Sequence, residues 1–275
     1  MRTINCKGKL IDFTTPKVMG ILNITPDSFF DGGKYKEEND FIMQTQKMLD
    51  EGATFIDIGA YSSRPGAKHI TEKEEMERIV PVVKLLIKHF PDILISIDTF
   101  RSEVAKATVN AGAAIINDIA AGSLDNYMIE TVAQLQVPYI MMHMKGNPQN
   151  MQTNPTYENI TKEVLHYFSE KIEKARALGL NDIVIDPGFG FAKTLEHNYE
   201  LLQHLELLQF LELPVLVGVS RKSMIYKLLE NTAAEALNGT TIVNTIALQK
   251  GAQILRVHDV KEAVQTVKIN QQLQA

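Results

Sequence analysis

The chain has one cysteine, Cys6, and no tryptophan in 275 residues. A lone cysteine forbids an internal disulfide, so no covalent staple holds this fold and a reducing compartment suits it. No apolar run reaches the length needed to span a bilayer. The stretch from Met1 to Phe13 is broken by Arg2, Lys7, Lys9 and Asp12, unlike a secretory leader. An excess of positive charge is missing too: 28 basic against 33 acidic side chains leave a net −5, which attracts neither nucleic acid nor an anionic membrane. No Walker sequence and no serine elbow occur, and no cysteines or clustered histidines stand ready to hold zinc. Apolar residues, in contrast, make up 45% of the chain, enough for one sizeable core. No composition break divides the chain. The expectation is one domain over residues 1–275, working in the cytoplasm.

Short β-branched runs alternate with longer helical patterns. The runs Lys17–Leu22, Thr54–Gly59, Ile93–Asp98, Ala113–Asn117, Pro138–His143, Ile183–Asp186, Val215–Val219 and Ile254–His258 read as strands. Most are nearly continuous Val, Ile, Leu and Met, the pattern of parallel strands covered on both faces. Amphipathic segments such as Glu72–His89, Tyr157–Leu178 and Ala233–Lys250 separate them. Eight such units in about 250 residues is the rhythm of a (β/α)8 TIM barrel, a parallel eight-stranded barrel with outer helices. A doubly wound open sheet has the same alternation.

A barrel enzyme keeps its chemistry at the C-terminal ends of the strands. The conspicuous polar residues occupy those places: Asn23, Asp57, Asp98, Asn117 and Asp118, His143, Asp186, Ser220 to Lys222, Arg256 and His258. Asp98, Asn117 and Asp186 would meet in the mouth, where unpaired carboxylates are costly. Salt bridges to Lys222 or Arg256 would satisfy them structurally. So would a ligand rich in N–H donors, such as a 2-amino-4-oxo heterocycle, with Lys222 donating to its far side. Arg256 and His258, two apart on a strand, share a face and with Arg64 form a basic pocket suited to phosphate. Asn23, alone or with Mg2+, could complete it. The loop from Asn23 to Gly33, with Phe29 and Phe30, reads either as a plain polar connection or as a lid over a ligand. Tyr61 to Ala67 reads either as a turn with a solvated Arg or as an anion site. His143 among methionines reads as a packed strand end, and His69, His89 and His197 as surface residues.

Taken in order, the segments GILNITPDSFFDGG, DIGAYSSRPGA, ISIDT, IINDI, MMHMKGNPQNMQ, DPGFGFAK, GVSRKSMI and ILRVHDV resemble dihydropteroate synthases from Val18 to about Val264. The resemblance implies a (β/α)8 barrel, usually a homodimer, in folate biosynthesis. Such an enzyme joins 6-hydroxymethyl-7,8-dihydropterin diphosphate to 4-aminobenzoate, releasing pyrophosphate. It implies a pterin pocket of Asp98, Asn117, Asp186 and Lys222, and a Mg2+ contact at Asn23. Ser63, Arg64, Arg256 and His258 then answer to the diphosphate side, and Val257 counts among the substrate contacts. Phe29, Pro65 and Ser220 answer to the aminobenzoate site where sulfonamides compete. Asp98, Arg64, Lys222, Arg256 and His258 would carry the catalysis. Tyr61 stands where Glu is common, Phe30 where a small polar residue is usual, and Ala192 where Gly is usual. Ser63 replaces a common Thr. Two rival readings share the pterin acids: a methyltransferase passing a methyl group from methyltetrahydrofolate to a corrinoid protein, and a pterin-binding protein without turnover. The methyltransferase has no use for diphosphate contacts, and intact loops and strand ends argue against the binder without turnover.

Overall fold

The computed structural model describes residues 3–24, 38–62, 69–146 and 155–273. A hairpin of β1 (Thr3–Cys6) and β2 (Lys9–Asp12) comes first. Then strands and helices alternate: β3 (Lys17–Asn23), α1 (Glu38–Asp50), β4 (Phe55–Gly59), α2 (Glu72–His89), β5 (Ile95–Asp98), α3 (Ser102–Asn110) and β6 (Ile115–Asp118). Next come α4 (Met128–Leu135), β7 (Tyr139–Met142), α5 (Ile160–Ala177), β8 (Ile183–Asp186) and α6 (Leu195–Gln203). The chain ends with β9 (Leu216–Val217), the short α7 (Ser223–Tyr226), α8 (Leu237–Gln249), β10 (Ile254–Val257) and α9 (Val260–Gln272). Strands β3 to β10 form one parallel sheet in the order β8-β7-β6-β5-β4-β3-β10-β9. A parallel bridge from Ile185 to Val215 joins its two ends. This closes the barrel and excludes the open sheet.

The elements start where short-range chemistry dictates. Thr71 caps α2 by accepting from the Glu74 amide at 3.2 Å, and Glu72, Glu74 and Glu75 complement the helix dipole. Asn159 caps α5 by accepting from Lys162 N at 2.9 Å, so that helix begins at Ile160 and not at Tyr157. The Ala233–Lys250 segment is divided. Thr232 and Glu235 form a reciprocal capping box around a 3-10 turn, Ala233–Glu235, before α8 begins. Most strands are shorter than their apolar runs, and β9 keeps two residues of an expected five. End residues of those runs still bond to neighbouring strands, as Thr54 N does to Val18 O at 2.8 Å and His143 N to Asp186 O at 3.0 Å.

Two apolar layers flank the strands. The outer one packs strand residues such as Val18, Ile56, Ile116, Ile185 and Val257 against the helices. The inner one fills the barrel with Met19, Phe55, Leu94, Ile115, Ile140, Val184, Leu216 and Ile254. Ile4, Cys6, Ile11 and Phe13 of the hairpin join this inner cluster and plug its N-terminal end. The sequence reading assigned no element there. Burial pushes the Cys6 thiol up to about 12, so it serves as a small apolar side chain.

One buried carboxylate braces the sheet. Asp118 accepts from Tyr139 Oη at 2.5 Å, from Ala120 N at 2.8 Å and from Gly122 N at 2.7 Å. Tyr139→Phe leaves that charge with two backbone donors only. It is expected to lower unfolding free energy by about 1.5–3 kcal/mol in a urea titration without changing the slope.

Candidate functional site

Side chains in a strand alternate, so every second residue of each barrel strand faces the lumen. The apolar inner layer sets that parity, and counting two residues on from it gives the next layer. Met19 leads to Ile21 and Asn23, Phe55 to Asp57 and Gly59, and Leu94 to Ser96 and Asp98. Ile115 leads to Asn117, Val184 to Asp186, and Leu216 to Gly218 and Ser220. Ile254 leads to Arg256 and His258. Asn23, Asp57, Asp98, Asn117, Asp186, Ser220, Arg256 and His258 thus stand on the lumen face above an apolar floor, whereas Asp118 and His143 have the opposite parity. Val257 has the opposite parity, and its side chain is 1% exposed within the outer core. Its side chain is therefore not a ligand contact.

Arg256 organises the polar layer. Its Nε donates to Asp57 Oδ2 at 2.6 Å and its Nη2 to Asp98 Oδ2 at 2.9 Å. Asn117 Nδ2 donates to the same Asp57 oxygen at 3.1 Å. The four side chains come from β10, β4, β5 and β6 and form a continuous chain across the mouth. Asp57 is fully buried, and its Oδ1 takes no hydrogen bond among the described residues. Burial, with Asp57 adding to it and Arg256 opposing, raises Asp98 to about 7. Burial works against the Arg256 charge, but Asp57 and Asp98 together raise its pKa above the ordinary value. This structural pairing was one of the two outcomes open for the acids. It ties up two faces of the guanidinium that the sequence reading had assigned to diphosphate. Asp57 itself received no role there. Its lumen parity and its position two residues before the strand end were the available signal.

Asp186 and Lys222 form the other wall. Asp186 accepts from Gly188 N at 2.7 Å through Oδ1, while its Oδ2 takes no protein hydrogen bond among the described residues. Burial raises its pKa, with Lys222 opposing most strongly. Lys222 donates to Phe189 O at 2.5 Å and lies 4.6 Å from the centre of the Phe191 ring. Burial lowers it to about 8, against the pull of Asp186. Gly218 leaves room between the two walls: a methyl built there would sit 3.8 Å from Arg256 Cβ and 4.0 Å from Asp186 Oδ2.

The turn carrying Phe189 is fixed from below. Gly188 has φ +72°, and a Cβ there would lie 2.1 Å from the His143 carbonyl, so only glycine fits. Lys193 sends its ammonium to Gly188 O at 2.9 Å, Phe191 O at 3.0 Å and His143 Nδ1 at 3.1 Å. His143 is a packed strand end as expected, held down to about 2 by burial and by Lys193. Burial lowers Lys193 to about 7 while Asp186 opposes. The acceptors around it favour the charged form. Lys193 was absent from the sequence reading because a lysine in a glycine-rich turn looks solvated. His197 is not a surface residue either. Its Nδ1 accepts from Thr194 N at 3.3 Å in the cap of α6, and its ring meets Tyr157 edge-on at 4.9 Å.

Two departures from the family pattern have physical accounts. Ala192 sits at φ +49°, the left-handed region where glycine is easiest. Its buried methyl packs with Ile119, Ala120, Met142 and Met144, a gain of about 0.8 kcal/mol that offsets most of the strain. Tyr61 packs edge-on against Phe100 at 5.0 Å and lies over the Arg101 guanidinium at 5.3 Å. Arg101 is itself paired with the buried Glu75. An aromatic face thus serves a cation where a carboxylate is usual. Phe29, Phe30, Ser63, Arg64 and Pro65 lie outside the described residues, as does most of the GNPQNMQ segment.

No group of three or more His, Cys, Asp or Glu side chains could hold a metal among the described residues. Asn23 offers something narrower. A Cβ built on Gly59 would be 3.8 Å from Asn23 Oδ1 and 3.7 Å from Asp98 Oδ2, so an amide oxygen and a carboxylate flank one empty glycine. Hard oxygen donors of this kind suit Mg2+ when phosphate oxygens and water complete the shell.

Residues 19–258 match the family described as pterin binding enzyme. The dihydropteroate synthase of Escherichia coli (strain K12) is 43% identical over 265 residues, covering 96% of this chain and 93% of that protein. The Yersinia pestis dihydropteroate synthase solved with a sulfonamide drug complex superposes with a TM-score of 0.95 at 43% identity, covering 99% of each chain. The Xanthomonas albilineans dihydropteroate synthase in complex with 7,8-dihydropteroate gives 0.87 at 33% identity, covering 100% of this chain and 99% of that one. With the acid-lined mouth, the matched family and these relatives in agreement, the chain belongs to the pterin-binding enzymes and, among them, to the dihydropteroate synthases.

Proposed function

We propose that the chain condenses 6-hydroxymethyl-7,8-dihydropterin diphosphate with 4-aminobenzoate to give 7,8-dihydropteroate and pyrophosphate, in folate biosynthesis. The observation that carries this reading is the lumen layer of Asp98, Asn117, Asp186 and Lys222 around Arg256. Asp186 Oδ2 takes no protein hydrogen bond among the described residues, so it is an acceptor for the donor edge of a flat aminopterin. Asn117 and Asp98 take further N–H groups of the ring. Lys222, already anchored at Phe189, donates toward a ring nitrogen or carbonyl. A site built this way rejects rings lacking those donors, because its own buried groups would stay unpaired.

The reaction breaks the bond between the pterin methylene carbon and the diphosphate oxygen, and the electron pair leaves with the diphosphate. The electron-poor methylene carbon is stabilised by the ring and by the nearby Asp98 carboxylate. The amine nitrogen of 4-aminobenzoate attacks it and then loses its proton. No enzyme nucleophile is needed. His258, together with Ser63 and Arg64, donates to the departing diphosphate. Arg256 contributes its charge from the floor, held by two acids. Mg2+, when bound at Asn23, supplies charge neutralisation to the diphosphate. Phe29 and Pro65 border the aminobenzoate, where sulfonamides compete. Ser220 contributes through His258, because its hydroxyl is already engaged there.

We further propose a cytoplasmic location, in keeping with the single buried cysteine, and a homodimer. Leu228, Leu229 and Ile242 are exposed beside α7 and α8, and a second copy would cover them. No helix of the described residues is long and apolar enough to cross a membrane.

Pyrophosphate release from the dihydropterin diphosphate with 4-aminobenzoate and Mg2+ tests the central reading. Release that does not depend on the amine would sink it, and methyl transfer from methyltetrahydrofolate to a corrinoid protein would favour the rival reading. Asp186→Ala is expected to abolish pterin binding by calorimetry. Arg256→Ala strands Asp57 and Asp98 without their cation. It should cost about 3 kcal/mol of stability and weaken free pterin as well as the diphosphate substrate. The raised Asp98 pKa sets the sign of the pH response. The proton leaves only as pH rises through about 7, and the carboxylate is the working form. Below that point kcat/KM for the diphosphate substrate should fall about tenfold per pH unit. Asp57→Asn, which removes a neighbouring negative charge, should move this limb to lower pH in a rate profile.

A further inference from the structure

The segments following β9 and β10 stay in register beyond the last paired residues. The strands align Leu216 with Ile254 and Val217 with Leu255. Continuing that alignment brings Ser220 opposite His258 and Arg221 opposite Asp259, and both pairs are in contact. Arg221 grips Asp259 through Nε and Nη2 at 2.8 Å each, and its Nη1 donates to Ala233 O at 2.9 Å and Ala234 O at 2.6 Å. The two segments are therefore bolted together one residue past Ser220 and His258.

The Ser220 side chain is 4% exposed. Its Oγ accepts from the His258 backbone N–H at 3.2 Å and lies 3.1 Å from His258 Nδ1. These are its hydrogen-bond neighbours among the described residues. A backbone amide can only donate, so it occupies a lone pair on Oγ. The hydroxyl hydrogen needs an acceptor of its own, because a buried donor left unpaired costs about 1–3 kcal/mol. Among the described residues, the acceptor within reach is the imidazole Nδ1. An imidazole nitrogen that accepts carries no proton, so the ring proton sits on Nε2.

We propose that Ser220 is a positioning residue for His258, donating to Nδ1 and fixing the neutral ring as the Nε2–H tautomer. The consequence for the reaction rests on His258 being a diphosphate contact, as proposed above. The ring then offers an N–H donor to a phosphate oxygen without first taking up a proton. The opposite tautomer would aim a lone pair at that anion. Ser220 thus links the penultimate barrel strand to the leaving group through a single hydroxyl.

Long-range 1H–15N spectra of the full chain with 15N-labelled histidine test this directly, with His258 assigned by its loss in His258→Gln. The wild type should show His258 Nδ1 unprotonated and Nε2 protonated. Ser220→Ala should redistribute the ring proton and lower kcat/KM for the dihydropterin diphosphate about tenfold, with free pterin affinity unchanged. Ser220→Thr, which keeps the hydroxyl, should restore the wild-type tautomer and most of the rate. In His258→Gln, whose amide donates from the Nε2 position, adding Ser220→Ala should cause no further loss. A protonated Nδ1 in the wild type, or a tautomer indifferent to Ser220→Ala, overturns the proposal. A tautomer that shifts while kcat/KM stays put upholds Ser220's hold on the ring and removes His258 from the diphosphate site.

Discussion

A strand in a closed barrel shows the lumen only at alternate residues, and this constraint governs both stability and chemistry here. The same parity that buries Met19, Phe55, Leu94, Val184 and Ile254 in an apolar plug delivers Asn23, Asp57, Asp98, Asp186 and Arg256 one or two steps further on. Core and site are successive storeys of one column of side chains. A one-residue slip in any strand would turn its polar residue into the helix layer and an apolar one into the mouth. The register that secures the core therefore secures the site.

The polar storey is tolerable because its charges answer one another. Asp57 and Asp98 share Arg256, and Asp186 feels Lys222. The compensation is incomplete: Asp57 Oδ1 is buried without a hydrogen bond among the described residues, and burial still dominates the raised pKa of Asp98. A donor-rich heterocycle, as proposed above, would supply the hydrogen bonds these acids do not draw from the described residues. The site is thus held partly unsatisfied by a frame that is itself well paired, with Lys193 caged by carbonyls and Asp118 by Tyr139 and two amides.

Much of this was legible in the sequence, because strand runs and polar strand ends are local signals. The eight-fold alternation, the lumen positions of Asp98, Asn117, Asp186 and Arg256, and the shared face of Arg256 and His258 follow from residue order alone. What stayed hidden depends on partners far along the chain. The Arg256 pairing with Asp57 spans 199 residues, and nothing beside either residue announces it. Lys193 gave no signal, because its acceptors are mainly backbone carbonyls, which every sequence has. The hairpin was missed because Lys7, Lys9 and Asp12 break the apolar pattern, while the inward residues Ile4, Cys6, Ile11 and Phe13 are few.

That hairpin also shapes traffic. By covering the far end of the apolar layer that fills the barrel, it leaves the polar storey open only at the opposite rim. Substrates and products alike therefore pass through the rim that carries the polar strand ends.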